Sequence, residues 1–332
     1  MSHPDLVENA EIFWHRGMDS VQEFARSSGL FREVDVAQNT GDTREFSEFN
    51  LEEYGSVKGE SDQAARARVQ QGYRKTGRLY RTGADITISY EMRTRNKYQD
   101  VIAQLTNLPK MGVARLDLDL THRLTFGLST SYTDKDGNSI DVTVGDGLAL
   151  FSTAHTLRGS STTFRNRLAG NPAFTRSALE SMELMRVENT FNQFGEKMSI
   201  PDDIIWATDD PNTNNSIDEL LRSTATTTVD QNSGVVNVYS GKYRKVTLPR
   251  LATTATGGID TSKRKYWGVA SSMMTQAYLG MHEEVRMKVG PAEGKGNEEF
   301  ATDDWSFGYR AGYMICIVSA AWIGFSSGDG TA

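Results

Sequence analysis

The chain is short of the residues from which covalent staples and catalytic centres are made. Its 332 residues include one cysteine, Cys316. An intrachain disulfide is excluded, and a cysteine-based zinc or iron–sulfur site has too few ligands. The five histidines, His3, His15, His122, His155 and His282, are scattered, with no pair four residues apart and no His-Glu-x-x-His. No metal site is expected. No stretch reaches the ~18 apolar residues of a membrane span; the longest apolar-rich run, Met314 to Phe325, includes Ser319. An excess of positive charge is also missing: 36 basic residues face 43 acidic ones, a net charge of −7. That balance argues against tight, sequence-independent wrapping of nucleic acid, which needs a cationic face. The N-terminal residues lack a basic region followed by an apolar one, so intracellular synthesis is expected.

Catalytic motifs are equally scarce. There is no Gly-x-Ser-x-Gly. Gly290-Pro291-Ala292-Glu293-Gly294-Lys295 imitates a phosphate loop, but it has three residues between the glycines instead of four, and Gly296 stands where a hydroxyl is needed. A surface loop is expected there. Cys316, within Met314-Ile315-Cys316-Ile317-Val318, reads as a small core hydrophobe rather than a nucleophile. No catalytic, cofactor-binding or metal-ligating residue is assigned, and the expectation is a protein that is not an enzyme and needs no cofactor.

A chain of this length fits two ordinary domains, or one with large excursions, and buries roughly three quarters of its unfolded surface. Residues 1–40 are weakly patterned and predict at best a short helix. An exposed arm that packs on a neighbour is weighed equally against a frayed terminus. A strand is expected over 85–90 and one long helix, possibly broken at Pro109, over about 98–128, with Val101, Leu105, Leu108, Leu116, Leu120 and Leu124 at helical spacing. The Asp-Gly turn within 133–138, between alternating residues, signals a hairpin. It imitates a calcium loop only faintly, because Gly145 occupies the twelfth position from Asp134. Thr175 is expected to cap a helix over 176–187 with Phe174 stapled on Leu179, and Ser216 with Glu219 to form a capping box. Short strands are expected over 203–208, 235–239, 243–248, 265–270, 278–281 and 285–289, with alternation at Trp305, Phe307, Tyr309, Tyr313, Ile315 and Ile317 before a glycine-rich tail. The mixture is α+β, with antiparallel strands.

The most unusual segment is a charge block. Residues 42–62 carry Asp42, Glu45, Glu48, Glu52, Glu53, Glu60 and Asp62 against Arg44 and Lys58. Residues 64–84 invert this, with Arg66, Arg68, Arg74, Lys75, Arg78 and Arg81 and no acid. The block is too poor in aliphatic residues to bury a core of its own. It reads either as a solvated, partly disordered insertion or as a projecting hairpin whose two charge faces meet oppositely charged neighbours.

Residues 149–174 (ALFSTAHTLRGSSTTFRNRLAGNPAF), the helix TRSALESMELMR, MSIPDDIIWATDD (198–210), SIDELLRS (216–223), KVTLPRL (245–251) and the closing DDWSFGYRAGYMICIVSAAWIGFSSG (303–328) follow one another in an order that resembles the major capsid proteins of tailed bacteriophages, in particular the Mu-like major head subunits. The resemblance covers most of the chain as an order of elements, and no single motif is diagnostic. It implies the capsid fold of that family: an N-terminal arm (1–40), an extended loop (41–92), a peripheral domain with a long spine helix (93–174 and 300–332) and an axial domain (175–299). It also implies self-assembly into hexamers and pentamers of an icosahedral shell in the virion, assembled in the host cytoplasm. Double-stranded DNA would be enclosed without specific recognition, scaffold, portal and decoration proteins would be further partners, and no membrane is involved. Arg66, Arg68, Arg74, Lys75, Arg78, Arg81, Phe13 and Trp14 are the expected inter-subunit contacts. Lys58 and Lys75 could in principle supply a lysine–asparagine cross-link of the kind some relatives form, but none is expected. An encapsulin-type compartment shell or a phage tail-tube protein are the alternatives.

Overall fold

In a computed structural model, described over residues 3–36, 41–58, 60, 63, 65–95, 98–223, 237–290 and 304–330, the chain mixes helices with two four-stranded sheets. In chain order the elements are α1 (His3–Asp19), β1 (Arg32–Asp35), β2 (Thr43–Leu51), β3 (Val69–Arg78), β4 (Tyr80–Ile88), α2 (Tyr90–Thr94) and α3 (Tyr98–Thr125). There follow β5 (Ser131–Thr133), β6 (Ser139–Asp141), β7 (His155–Thr156), β8 (Thr163–Phe164), α4 (Arg176–Glu188), β9 (Ile204–Ala207) and α5 (Pro211–Arg222). The last are β10 (Arg244–Thr247), β11 (Trp267–Ala270), β12 (Ala277–Val289), β13 (Trp305–Ile317) and β14 (Ile323–Ser326).

The long helix forms where its apolar spacing places it. Val101, Leu105, Leu108, Leu116, Leu120 and Leu124 make one buried stripe. The helix runs through Pro109 without ending, although that residue has no N–H to donate. α1 crosses α3 here, with Gly17 at the closest approach: a Cβ on Gly17 would collide with the Thr106 carbonyl and the Pro109 ring. The other face of the stripe meets the first sheet, ordered β1-β12-β13-β4. Gly112 permits this contact, since a Cβ there would lie 2.5 Å from Val285 and 3.0 Å from Tyr309. Ala10 and Trp14 of α1 join the same core. The weakly patterned N-terminus is thus a helix of 17 residues seated on its own chain, and the Trp14 ring is used there.

Period-two alternation explains how both sheets bury two faces. In β13, Trp305, Phe307, Tyr309, Tyr313, Ile315 and Ile317 belong to the core around α3, whereas Met314 and Cys316 belong to a separate cluster with Val36, Phe46 and Val318. In the second sheet, ordered β10-β9-β11-β14, Ile204 and Trp206 face the main core, while Ile205 and Ala207 pack with Leu179, Met182, Ile217 and Leu220 of α4 and α5. The apolar run Ile204–Ala207 is therefore sandwiched. Phe325 of β14 stacks on Phe151 with ring centroids 4.1 Å apart.

Several expectations are corrected. The sheets are not purely antiparallel: β1 runs parallel to β12 and β10 parallel to β9. The two strands expected over 278–281 and 285–289 are one bulged strand, β12. Residues 237–240 turn rather than extend, and 235–236 lie outside the described residues, as do 291–295 of the glycine-lysine loop. The glycine-rich tail contributes β14, a strand of four residues that are all buried, so that no exposed face marks it in the sequence. α5 starts five residues before Ser216: Asp210 accepts from the Thr213 N–H at 3.0 Å and Pro211 opens the helix, while the Ser216 hydroxyl bonds back to the Asn212 carbonyl inside it. The Asp-Pro pair was the stronger start signal. Thr175 caps α4, accepting from the Ala178 N–H at 3.1 Å. β12, placed by sequence with the axial segment, is paired along its length with β13, and β14, placed with the peripheral segment, pairs with β11.

One buried carboxylate ties three distant segments together. Asp117 on α3 is 1% exposed; it accepts from the Ala25 N–H at 2.6 Å and pairs with Arg250. Removing one partner of such a pair leaves the others unsatisfied, which costs ~3–5 kcal/mol. Asp117→Ala is expected to lower the unfolding free energy by about that amount in denaturant titrations, with the slope unchanged.

Candidate functional site

Residues 43–51 and 69–78 of the charged block pair as the antiparallel β2–β3 hairpin, which sets acids of the first run against bases of the second. Arg68 pairs with Glu52 at 2.6 Å, Arg74 with Glu45 at 3.1 Å, and Arg81 with Asp42 at 3.0 Å. Arg68 also lies over the Phe194 ring at 5.0 Å. Hydrogen bonding from Arg68 holds the Glu52 carboxyl below the usual carboxylate range. All these guanidinium groups are exposed, so each pair contributes little by itself. Arg66 and Arg78 are exposed and make no ion pair among the described residues.

Lys75 differs from the rest of the basic run. Its side chain is 15% exposed, and its Nζ reaches the Thr143 carbonyl, Thr143 Oγ1 at 3.0 Å and Asp141 Oδ2 at 3.1 Å. Burial lowers its pKa despite the attraction of Asp141. This lysine pins the base of the hairpin to β6.

The hairpin is not free-standing. At its base Phe46 stacks on Tyr278, with centroids 4.9 Å apart, over the second face of β13. Further out it rests on the segments around β7 and after α4. Glu48 accepts from Gln193 at 2.9 Å and from Gln276 at 3.3 Å. Tyr73 Oη meets Thr156 Oγ1 at 2.8 Å, and Arg158 donates to the Gly72 carbonyl at 3.1 Å. Beyond Glu48, the Glu53 N–H donates to Glu196 at 2.8 Å and Tyr54 Oη to the Lys197 carbonyl at 3.1 Å. Tyr54 and Val57 nevertheless remain largely exposed, and Lys58 is exposed beside them. Sequence reading found the charges but missed this seat, because Gln193, Thr156 and Arg158 carry no local pattern. Of the two aromatics expected at contacts, Trp14 is 6% exposed within the core and Phe13 is half-buried against it.

Beside the hairpin base lies a cleft of about 80 Å³ between β4, α3, β13 and the β5–β6 turn. Arg115 binds Asp119 at 3.0 Å, Asp134 at 3.1 Å and Asp136 at 2.8 Å. Asp134 is already occupied by donors, accepting the N–H groups of Asp136 and Asn138 at 2.9 and 2.8 Å, which is the geometry of a turn rather than a calcium loop. Among the described residues no group of three or more His, Cys, Asp or Glu could hold a metal ion, and no helix is long and apolar enough to cross a membrane.

No family model matches the chain, and no curated protein matches it. Among solved structures it is similar to one titled Mycobacterium phage Adephagia, with 11% identity over 92% of this chain and 90% of that one and a TM-score of 0.48. It is also similar to the capsid of Myoviridae phage XM1 (9% identity, 94% and 97% of the two chains, TM-score 0.47) and to the capsid structure of cyanophage P-SCSP1u (11%, 89% and 85%, TM-score 0.46).

The helix that borders the cleft carries an acid-sensitive group. His122 is 1% exposed, bonded to Thr253 Oγ1 at 3.0 Å and edged by Phe126 and Tyr132. Burial, reinforced by the nearby cations Lys263, Arg115 and Arg123, lowers its pKa to about 4. The unfolded chain then binds the proton more readily than the folded one, so stability is expected to fall as the pH drops from ~6.5 towards ~4, by up to about 3 kcal/mol. Denaturation midpoints against pH should show this slope in the native chain and a flatter one in His122→Gln.

Proposed function

We propose that the chain is the major capsid (head) protein of a tailed bacteriophage, a structural subunit that self-assembles into an icosahedral shell around double-stranded DNA. The observation that carries the reading is the arrangement of the hairpin: a charged two-stranded extension flanks a sheet packed on a long helix, which continues into a second sheet covered by helices. This arrangement supports the reading, with β12 and β14 exchanged between the peripheral and axial parts relative to the boundaries that the resemblance implies. In this reading α1 and its following turn are the arm, β2–β3 the extended loop, and α3 with β12 and β13 the centre of the peripheral domain. The sheet β10-β9-β11-β14 with α4 and α5 is the axial domain.

The partners are then other copies of the chain in hexamers and pentamers, with scaffold, portal and decoration proteins at particular positions, and the location is the virion after assembly in the host cytoplasm. The net negative charge suits a container whose lining does not grip its DNA. No catalytic role is assigned.

Electron microscopy of the purified protein is expected to show closed icosahedral particles; helical tubes, or a protein that stays monomeric under assembly conditions, would overturn the proposal. Particles that enclose a protein cargo instead of DNA during phage growth would favour a compartment shell. Reversing the charge of Arg66, Arg68, Arg74 and Arg78 together is expected to reduce particle yield at least tenfold while the circular dichroism spectrum is retained. Normal shells from that variant would remove the basic run from the interface.

A further inference from the structure

We propose that the cleft between β4, α3, β13 and the β5–β6 turn binds a small inorganic anion of chloride size, held by Arg123 and Thr82. Arg123 is 4% exposed. A guanidinium is a permanent cation, and a buried cation is costly unless a counter-charge meets it. Among the described residues, no carboxylate pairs with Arg123: its Nη1 donates to the Asp141 backbone carbonyl at 2.7 Å, whereas the Asp141 carboxylate is taken by Lys75 at 3.1 Å and by the Thr143 N–H at 2.8 Å. The Arg123 Nε is buried and has no hydrogen-bond partner.

A second orphan borders the same space. Thr82 Oγ1 is also buried without a partner, and Thr82 and Arg123 both line the cleft. Tyr80 and Thr82 stand two residues apart on β4 and so share a face. Arg123 lies over the Tyr80 ring at 5.8 Å. The cavity of about 80 Å³ admits a monatomic ion with a water or two, at ~30 Å³ for each water-sized body.

Water could satisfy the two hydrogen bonds but would leave the charge unpaired. The acids of the cleft do not pair it either. Its lining includes the guanidinium groups of Arg81, Arg115 and Arg123 and the carboxylates of Asp119, Asp134 and Asp136. All these carboxylates are drawn to Arg115, at 2.8 to 3.1 Å, and Asp119 also accepts from the Tyr313 hydroxyl. Arg81 turns to Asp42 at 3.0 Å. Negative charge is thus gathered around Arg115, and Arg123 is left with none. An anion accepting from Arg123 Nε and the Thr82 hydroxyl supplies it. The ion joins α3 to β4 and, through the Asp141 carbonyl, to β6, where Lys75 pins the hairpin. A ligand bound only by the folded chain stabilises that chain by mass action.

The test is chloride NMR linewidth on the native chain, with ionic strength held constant by gluconate, which is too large for the cleft. Excess broadening should saturate at millimolar chloride, and bromide should compete with it. Thr82→Val keeps the shape of the side chain and removes the hydroxyl; chloride affinity should fall roughly tenfold, as for loss of one hydrogen bond to a charged group. In Arg123→Gln the saturable broadening should vanish, and Thr82→Val decides the matter where that variant fails to fold. Absence of saturable broadening in the native chain means that water alone fills the cleft, and overturns the proposal. Unchanged affinity in Thr82→Val places the ion elsewhere and overturns it equally.

Discussion

Burial of one stripe of α3 is the constraint on which the remainder of the fold depends. Seven aliphatic side chains from Val101 to Leu124 are withdrawn from water along it. At ~1.5–3 kcal/mol each they contribute on the order of 10 kcal/mol, comparable with the whole net stability of a domain. A helix of 28 residues cannot cover such a stripe with one neighbour, so α1, β4, β12 and β13 all converge on it. The two glycines at the crossings, Gly17 and Gly112, let backbone and ring approach where a side chain would hold them apart. Asp117 then fixes the arrangement, because a buried carboxylate tolerates few geometries.

Once β13 is laid on the spine helix, its alternation leaves a second apolar face, with Met314 and Cys316 pointing away from α3. Something must cover it. The hairpin does so with Phe46 from β2, and this determines where a segment with almost no aliphatic content can attach. Its outer part is held differently: Glu48 and the Gly72 carbonyl accept hydrogen bonds from Gln193 and Arg158, and Tyr73 bonds Thr156. The joint therefore has an apolar hinge at its base and a polar seat further out.

Much of this was legible beforehand where the signal is local and periodic. The stripe of α3, the Thr175 cap, the Asp-Gly turn between β5 and β6 and the apolar run of β9 follow from spacing and turn chemistry. What was not legible is pairing. Nothing local says that β1 lies parallel to β12, or that Ile323–Ser326 completes a sheet begun over a hundred residues earlier. α1 was underestimated because its buried contacts are few and lie against a distant helix, so the sequence around Ala10, Trp14 and Gly17 shows no continuous stripe. The charge block was the clearest feature of the candidate site. The polar residues that seat it were invisible, since Gln193, Thr156 and Arg158 acquire their roles only through partners remote in the chain.

The pairing of the charge block with itself bears directly on whether such a hairpin can serve between subunits. Arg68 and Arg74 meet acids of the same hairpin and Arg81 of β4 meets Asp42 at its start, but these are exposed and therefore weak pairs. A pair that stabilises so little within a chain is exchanged at little cost for one between chains. The same cannot be said of Lys75, whose ammonium is buried against Thr143 and Asp141 and would carry a desolvation penalty if left unpaired. The hairpin thus combines one buried cation committed to its own subunit with exposed charges that can change partners at little cost. Arg66 and Arg78, exposed and without an ion pair among the described residues, are the cations with no internal pair to break. Many copies of so weak an interaction add up by avidity in a closed assembly, where each subunit is held by several neighbours at once. The exposed charge of the block is then consistent with a surface whose contacts are individually replaceable and collectively decisive.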